Sequence, residues 1–290
     1  RSSAASDVYK RQEVLIYFID GLISENHTDE ALEYLNEVPL TPERLMLEAD
    51  LYQQISMVDI AIEKVQQAID MQPADPIIHF ALAELLYFDG QYLRASREYD
   101  TVLESGEYEI NGINLFSRLA DSSLQSGNYT DALRWFDEIN EKELHSEDYL
   151  KKAIAYEKND LTHEAIKLMK TLLQKDPDFI QGYYYLQQLY ENEKSFADAI
   201  EIGQEGLRLN QFYKELMYST GALQIEHGDQ NEGVELLKQA LEVDPSYQEP
   251  LLMLADLFRK EEEYEAIIEL VQFVNCLLYT SPSPRDLSTS

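Results

Sequence analysis

The side chains that most often catalyse reactions or bind metals are dispersed along this chain of 290 residues. His163-Glu164 begins like the zinc motif H-E-x-x-H, but Lys167 stands where the second histidine belongs. The five histidines fall at unrelated positions, none at metal-ligand spacing: His27, His79, His145, His163 and His227. Glycine motifs that cradle phosphates and the G-x-S-x-G nucleophile motif are absent. The sequence therefore predicts no enzyme and no catalytic, cofactor-binding or metal-binding residue.

Charge and cysteine content restrict the partners further. The formal net charge is −32, and residues 13–93 contain two basic residues, Arg44 and Lys64, against 16 acidic ones. Binding of nucleic acid or of anionic lipid relies on lysine and arginine, so we expect neither nucleic-acid nor membrane binding. Cys276 is the single cysteine, and it lies in a C-terminal segment interpreted below as foreign, so the rest of the chain is expected to form no disulfide, no cysteine zinc site and no thiolate catalyst. No apolar run approaches the roughly 18 residues of a membrane span.

The positions that would hold functional side chains are set by an internal repeat with a period of about 34 residues. The pattern A-x3-F and the preceding L-x3-Y columns recur with starts near residues 13, 42, 76, 113, 146, 180, 214 and 248. Small residues recur in the eighth and twentieth columns, for example Gly221 and Gly233. Two helices can approach closely at such positions, so each repeat is predicted to be an antiparallel helix pair.

This pattern resembles the tetratricopeptide repeat (TPR), whose signature is W-x2-L-G-x2-Y, then A-x3-F, then P. The resemblance covers residues 13–275 and implies an all-α fold: a right-handed superhelical solenoid of about eight helix pairs, the last truncated. It identifies the chain as a bacterial cytosolic TPR protein. An insertion near Ser105 to Gly112 interrupts the period, and truncation is expected to leave Leu254, Leu257, Phe258 and Ile267 poorly covered.

Both ends of the chain are expected to be foreign. Residues 7–12 and 276–286 match the two strands of one transposase sequencing adapter, so residues 1–12 and 276–290 are interpreted as adapter read-through. The predicted domain is then residues 13–275, a piece of a longer protein. A cytoplasmic location is expected, although a signal peptide could have preceded residue 13.

In the resembling family the first, or A, helices line the concave surface, with the second, fifth, ninth and twelfth columns exposed. In this sequence the fifth column is mostly apolar and the ninth mostly acidic. The resulting candidate peptide-binding residues are Met46, Asp50, Phe80, Glu84, Ser117, Asp121, Leu150, Tyr184, Gln188 and Tyr218. The lysine and asparagine clamp with which some family members bind acidic peptide C-termini is absent. The alternative is a merely solvated inner face, with ligands docking elsewhere.

The predicted function is a protein-binding scaffold or adaptor for a basic, partly apolar partner segment. Two alternatives stay open: the regulatory arm of a larger enzyme or signalling protein whose catalytic domain lies outside this chain, and an envelope assembly factor. Gly203 and Gly206 stand where larger residues are usual, near several tyrosines. They predict either a slot for a partner's aromatic side chain or a space filled by neighbouring tyrosines.

Overall fold

The computed structural model describes residues 14–15, 17–25, 27–140 and 142–280. The segments 1–12 and 281–290, which carry most of the adapter interpretation, lie outside these residues. Helical residues 14–15 and 17–24 form α1. The other helices are α2 (Thr28–Leu35), α3 (Pro42–Gln54), α4 (Val58–Met71), α5 (Pro76–Phe88), α6 (Tyr92–Glu104), α7 (Leu115–Gln125), α8 (Tyr129–Glu138), α9 (Ser146–Lys158), α10 (Thr162–Lys175), α11 (Ile180–Asn192), α12 (Phe196–Leu209), α13 (Lys214–His227), α14 (Gln230–Val243), α15 (Gln248–Lys260) and α16 (Tyr264–Thr280).

The helices confirm the predicted all-α repeat solenoid. Odd-numbered helices from α3 onward are the A helices, and each packs against the even-numbered B helix that follows it. Local sequence explains the helix starts. Thr41 and Asp75 cap α3 and α5 by accepting backbone N–H groups, and Pro42 and Pro76 occupy the first helical position, where a missing N–H loses no partner. Six of the seven A helices from α3 to α15 start at the predicted residue, and α7 starts two residues after it.

The turn from A helix to B helix requires one residue in the left-handed conformation in most repeats. That residue ends the A helix as a C-terminal cap does. Glycine adopts the left-handed conformation without a steric penalty, because it has no Cβ atom. Only two of the six are glycine: Ser56, Gly90, Gly127, Asp160, Lys194 and Glu262, with φ between 59° and 78°. The four other residues adopt this conformation because the flanking helices are held in place by packing.

The small-residue columns lie where A and B helices meet, as predicted. A Cβ atom added to Gly233 on α14 would lie 2.6 Å from the backbone oxygen of Gly221 on α13. A Cβ added to Gly221 would lie 3.0 Å from the oxygen of Gly233. The two helices of this repeat therefore touch through their backbones.

The insertion in the third repeat is a short β-hairpin. Strands β1 (Glu109–Ile110) and β2 (Ile113–Asn114) pair antiparallel, with Ile110 opposite Ile113. Asn111 and Gly112 form the two-residue turn, both with positive φ, which is typical of the tight hairpin turn favoured by the Asn-Gly dipeptide. The Asn-Gly signal is present in the sequence, although the repeat pattern predicted only an insertion here.

Two compact units make up the chain, one ending at Glu143 and the other beginning at Leu144. In the N-terminal unit a continuous core runs from Leu45 to Leu119, with a smaller cluster around Ile19 and Leu51. The C-terminal unit has one core from Tyr149 to Leu223 and another from Leu237 to Val274. Each core is formed by neighbouring helix pairs, as expected of a repeat protein.

The expectation of a poorly covered last repeat was wrong for two of its four residues. Leu254 is fully buried and Phe258 is 8% exposed, because α16, which runs to Thr280, packs Leu270 and Val274 of its earlier turns into their cluster. Leu257 and Ile267 are half-buried. The helix thus includes residues 276–280, the start of the segment assigned to the adapter.

Candidate functional site

Three of the predicted binding residues line one cavity in the C-terminal unit. Tyr184 and Gln188 on α11 and Tyr218 on α13 face a space of about 530 Å³ that α15 closes on the third side. The fifth and ninth columns reach the same space because positions four apart share a helix face and the A helices repeat every 34 residues. The cavity is further lined by Glu191, Ser219, Ala222, Leu223, Ile225, Glu226, Met253, Asp256, Leu257 and Lys260.

Aromatic contacts hold the two tyrosine rings of this cavity. Tyr184 meets Tyr213 edge to face at 5.8 Å between ring centroids, and Tyr218 meets Tyr247 in the same way at 5.7 Å. Tyr213 and Tyr247 are the residues that immediately precede α13 and α15. In both pairs, therefore, a tyrosine that lines the cavity packs against the tyrosine that precedes the next A helix.

Carboxylates give the cavity a negative potential. Burial raises the pKa of the Tyr218 hydroxyl, and the charges of Glu249, Glu226 and Glu191 raise it further, because a phenolate there would be repelled. Among the described residues, the partner recorded for Glu226 is His227, whose Nε2 lies 3.8 Å from the carboxylate and carries charge only when the ring is protonated. A cationic side chain entering the cavity would relieve this repulsion.

Asp256 differs because the chain already neutralises it. Lys260 Nζ lies 2.7 Å from its carboxylate, and Arg259 pairs with the same group. Hydrogen bonds from Lys260 and Arg259 lower the pKa of Asp256. The side of the cavity formed by α15 is thus close to neutral, and the unbalanced charge lies on α11 and α13.

Two other candidates do not contribute to this cavity. Leu150 packs against the core around Tyr149 and is half-buried. Ser117 is half-buried on α7 in the N-terminal unit, where its backbone N–H donates to the Asn114 side chain that caps the helix. Their role in peptide binding stays a prediction.

The candidates of the N-terminal unit differ from the expected exposed row. Phe80 is 5% exposed, and its ring lies 6.2 Å from that of Tyr99 in the core. Glu84 receives Arg118 through both carboxylate oxygens, at 2.8 and 2.9 Å, and also accepts the Tyr99 hydroxyl at 2.5 Å. Glu84 is therefore paired within the chain by an arginine of the next A helix.

Asp121 is also withdrawn from the surface. It is 8% exposed and accepts a hydrogen bond from the Tyr87 hydroxyl at 3.4 Å. Arg118 lies over the Tyr87 ring, 4.8 Å from its centroid. Met46 and Asp50 remain accessible, Met46 half-buried and Asp50 exposed, and Met46 lines a separate cavity of this unit.

The space beside Gly203 and Gly206 is filled by the chain itself. A Cβ atom at Gly203 would lie 2.2 Å from the Gln187 amide nitrogen and 2.3 Å from the Thr220 hydroxyl. Gly206 faces Tyr183 and Leu216 in the same way. The expectation of neighbouring tyrosines holds at Gly206, whereas at Gly203 a buried hydrogen-bonded pair of polar side chains takes the space.

Sequence reasoning missed several residues of the C-terminal cavity. Glu191 lies in the twelfth column, which was expected to be exposed, but its charge was not counted. Glu226 and Lys260 lie in the thirteenth column, and Met253 in the sixth, which the resemblance did not mark as exposed. A helical wheel of each A helix would have placed them beside the fifth and ninth columns.

Within the described residues, no group of three or more histidine, cysteine, aspartate or glutamate residues is arranged to hold a metal ion. None of the described helices is long and apolar enough to cross a membrane.

Comparison with known proteins agrees with the repeat pattern. The family profile described as "YpiA-like, tetratricopeptide repeats" matches residues 53–107. The chain is 32% identical over 273 residues to the TPR repeat-containing protein YpiA of Bacillus subtilis (strain 168). The alignment covers 92% of this chain and 64% of YpiA, so the chain spans less than two thirds of that relative's length.

Two solved structures share the fold at low sequence identity. The C-terminal part of a TPR repeat-containing protein from Cytophaga hutchinsonii aligns with a TM-score of 0.66 at 15% identity, covering 81% of this chain and 98% of that one. A tetratricopeptide repeat protein from Parabacteroides merdae aligns with a TM-score of 0.57 at 17% identity, covering 91% and 99%. At these identities the likeness concerns the fold alone.

Proposed function

Because the chain belongs to the tetratricopeptide-repeat family, we propose that it is a protein-interaction scaffold that binds a partner segment on its A helices. We infer that the segment is basic and partly apolar. We further propose that the protein acts in the bacterial cytoplasm and performs no catalysis of its own. Its net charge of −32 supports a protein rather than a nucleic acid or an anionic membrane as partner.

The observation that carries this proposal is the combination of tyrosine rings and unbalanced carboxylates in the C-terminal cavity. Tyr184 and Tyr218 offer aromatic surface, and Glu191 and Glu226 supply negative charge beside it. The faces of aromatic rings attract lysine and arginine, most strongly where water is excluded. Apolar side chains of the same segment can pack on Met253, which lines the cavity from α15.

The chain provides its own example of this kind of binding. Lys214 Nζ donates to the Asp244 carboxylate at 2.5 Å and lies 5.2 Å from the centroid of the Tyr247 ring. Hydrogen bonds from Lys214 and Ser246 lower the pKa of Asp244 to about 2. A tyrosine beside a carboxylate therefore already holds a lysine at the edge of this groove.

A titration followed by methionine methyl NMR tests the proposal. The probe is a synthetic peptide that repeats Leu-Lys-Ser-Lys, and the reporter is the methyl group of Met253. We expect the shift to saturate with added peptide. We also expect the affinity obtained from the titration to fall about fivefold in Tyr218→Ala, because one aromatic face is lost. The double variant Glu191→Gln with Glu226→Gln should lower the affinity to a similar extent, because it removes two negative charges while keeping the size of both side chains.

The matched control is Tyr264→Ala, since Tyr264 is 62% exposed and does not line the cavity. Circular dichroism verifies that each variant is folded. Equal affinity of the parent chain for the probe and for a peptide with glutamate in place of lysine would refute the basic character of the partner. Unchanged binding in both cavity variants would refute the site.

A further inference from the structure

A second cavity lies in the N-terminal unit, between α1, α3 and α5, with a volume of about 410 Å³. Met46, Leu47 and Ile78 form apolar parts of its wall. Tyr17 and Ile77 also line it and are 78% and 61% exposed. Leu47 and Ile78 are buried, as Phe80 is, whereas Tyr17 and Ile77 expose apolar surface to solvent.

Carboxylates surround this apolar wall. Asp20, Glu43 and Asp75 line the cavity, and Asp50 follows Met46 by one helical turn on α3. Asp75 caps α5 by accepting the Ile77 N–H at 2.9 Å. No ion pair joins a cation to Asp20, Glu43 or Asp50 within the described residues. Although the Asp50 side chain reaches solvent, the protein atoms around it displace part of its hydration and raise its pKa, and repulsion from Asp20 raises the pKa further.

The basic residues of this part of the chain are already engaged elsewhere. Residues 13–93 contain only Arg44 and Lys64, and both pair with the buried Glu48. Arg44 Nε lies 2.8 Å from one carboxylate oxygen and Lys64 Nζ lies 2.7 Å from the other. Arg44 also donates to the Val38 carbonyl oxygen. Neither side chain is available to balance Asp20 and Asp50.

We propose that this cavity is a second docking site, for a partner segment in which a lysine or arginine neighbours an apolar side chain. The apolar side chain packs between Met46 and Ile77, and the cation pairs with Asp20 and Asp50. Charge complementarity selects this occupant, because the site combines open apolar surface with carboxylates that repel each other. The site lies in a different unit from the tyrosine-lined cavity and stands or fails separately.

Methionine methyl NMR separates the two sites in the intact chain, which contains six methionines. Met46 lines the N-terminal cavity and Met253 the C-terminal cavity. Met57 is 48% exposed, lines neither cavity and serves as the internal reference. The Leu-Lys-Ser-Lys peptide is expected to shift the Met46 methyl signal saturably and to leave Met57 unchanged.

The decisive variant is Asp20→Asn with Asp50→Asn, which keeps side-chain shape and removes two charges. The affinity obtained from the Met46 signal should fall about fivefold, as expected for the loss of two partly exposed ion pairs. The affinity obtained from the Met253 signal should stay unchanged. The control is Asp59→Asn with Asp70→Asn, the same change in charge at two exposed positions of α4. Ile77→Ser tests the contribution of the apolar wall to binding. Because Ile77 is 61% exposed, this change is not expected to unfold the chain.

Each outcome discriminates. A saturable Met46 shift that the pocket variant weakens and the control does not would support the site. No saturable shift at Met46, or equal weakening in the two double variants, would overturn it in favour of general attraction to a strongly negative chain. A shift at Met253 alone would overturn this inference and support the C-terminal groove. A shift at Met46 alone would do the reverse.

Discussion

Arg44 and Lys64 show how the pairing of single side chains determines the charge of the surrounding surface. Burial favours the neutral form of Glu48, but hydrogen bonds and charges from Lys64 and Arg44 outweigh it and lower its pKa. A carboxyl group whose pKa is lower in the folded state stabilises the fold above its unfolded-state pKa. That contribution is lost as the pH falls through the folded-state value. The pairing therefore stabilises α3 against α4 and leaves the nearby acidic residues uncompensated.

The first prediction is that Lys64→Met destabilises the N-terminal unit by about 1–3 kcal/mol at pH 7, because a buried carboxylate loses a partner. The difference from the parent chain should shrink as the pH falls below the ordinary glutamate value of 4.5 and through the lower pKa of Glu48 in the folded parent. Urea unfolding at several pH values measures this. Lys142→Met is the control, since Lys142 is exposed and should change stability by less than about 0.5 kcal/mol. An equal effect at every pH would contradict the assigned role of Glu48.

At the level of helices, the repeat is held by close backbone contact inside a pair and by side chains between pairs. Gly221 and Gly233 permit the first kind of contact on α13 and α14. The buried amide of Gln187, which donates to Thr220 at 2.9 Å, is an example of the second, joining α11 to α13. The A helices that line the C-terminal cavity are positioned by both.

The second prediction concerns the helix contact. Gly233→Ala should destabilise the C-terminal unit by about 2–4 kcal/mol, because the new Cβ would meet two backbone atoms within 3 Å and the helices must separate. Gly21→Ala is the control, since nothing lies within 4 Å of an added Cβ there. It should be neutral or stabilising by up to about 1 kcal/mol. Urea denaturation decides, and a stable Gly233→Ala chain would contradict the backbone contact.

For the whole molecule, the repeat period predicted where the helices lie, but it did not predict which side chains pair with each other. Helix starts followed from the repeat because capping residues, prolines and small residues recur every 34 positions. Side-chain partners did not follow, since Glu84 and Arg118 lie on successive A helices and only the packed structure shows that the arginine reaches the carboxylate. Asp121 became buried for a similar reason. The column pattern indicated that Tyr184, Gln188 and Tyr218 share one face, but only the structure shows which of the described carboxylates beside them lack a partner cation.

The central claim is that the A helices, rather than the B helices, receive the partner segment. A competing location exists: a cavity of about 590 Å³ is lined mainly by Phe212, before α13, and by Gln239 and Val243 on the B helix α14, with Met217 on α13 at one side.

Photo-crosslinking of the Leu-Lys-Ser-Lys peptide, with one leucine replaced by benzoylphenylalanine, distinguishes the two locations once the linked residues are mapped by mass spectrometry. We expect links on α11, α13 and α15 around Tyr184, Tyr218 and Met253, and on α3 around Met46. Links concentrated around Phe212 and Val243 would contradict it.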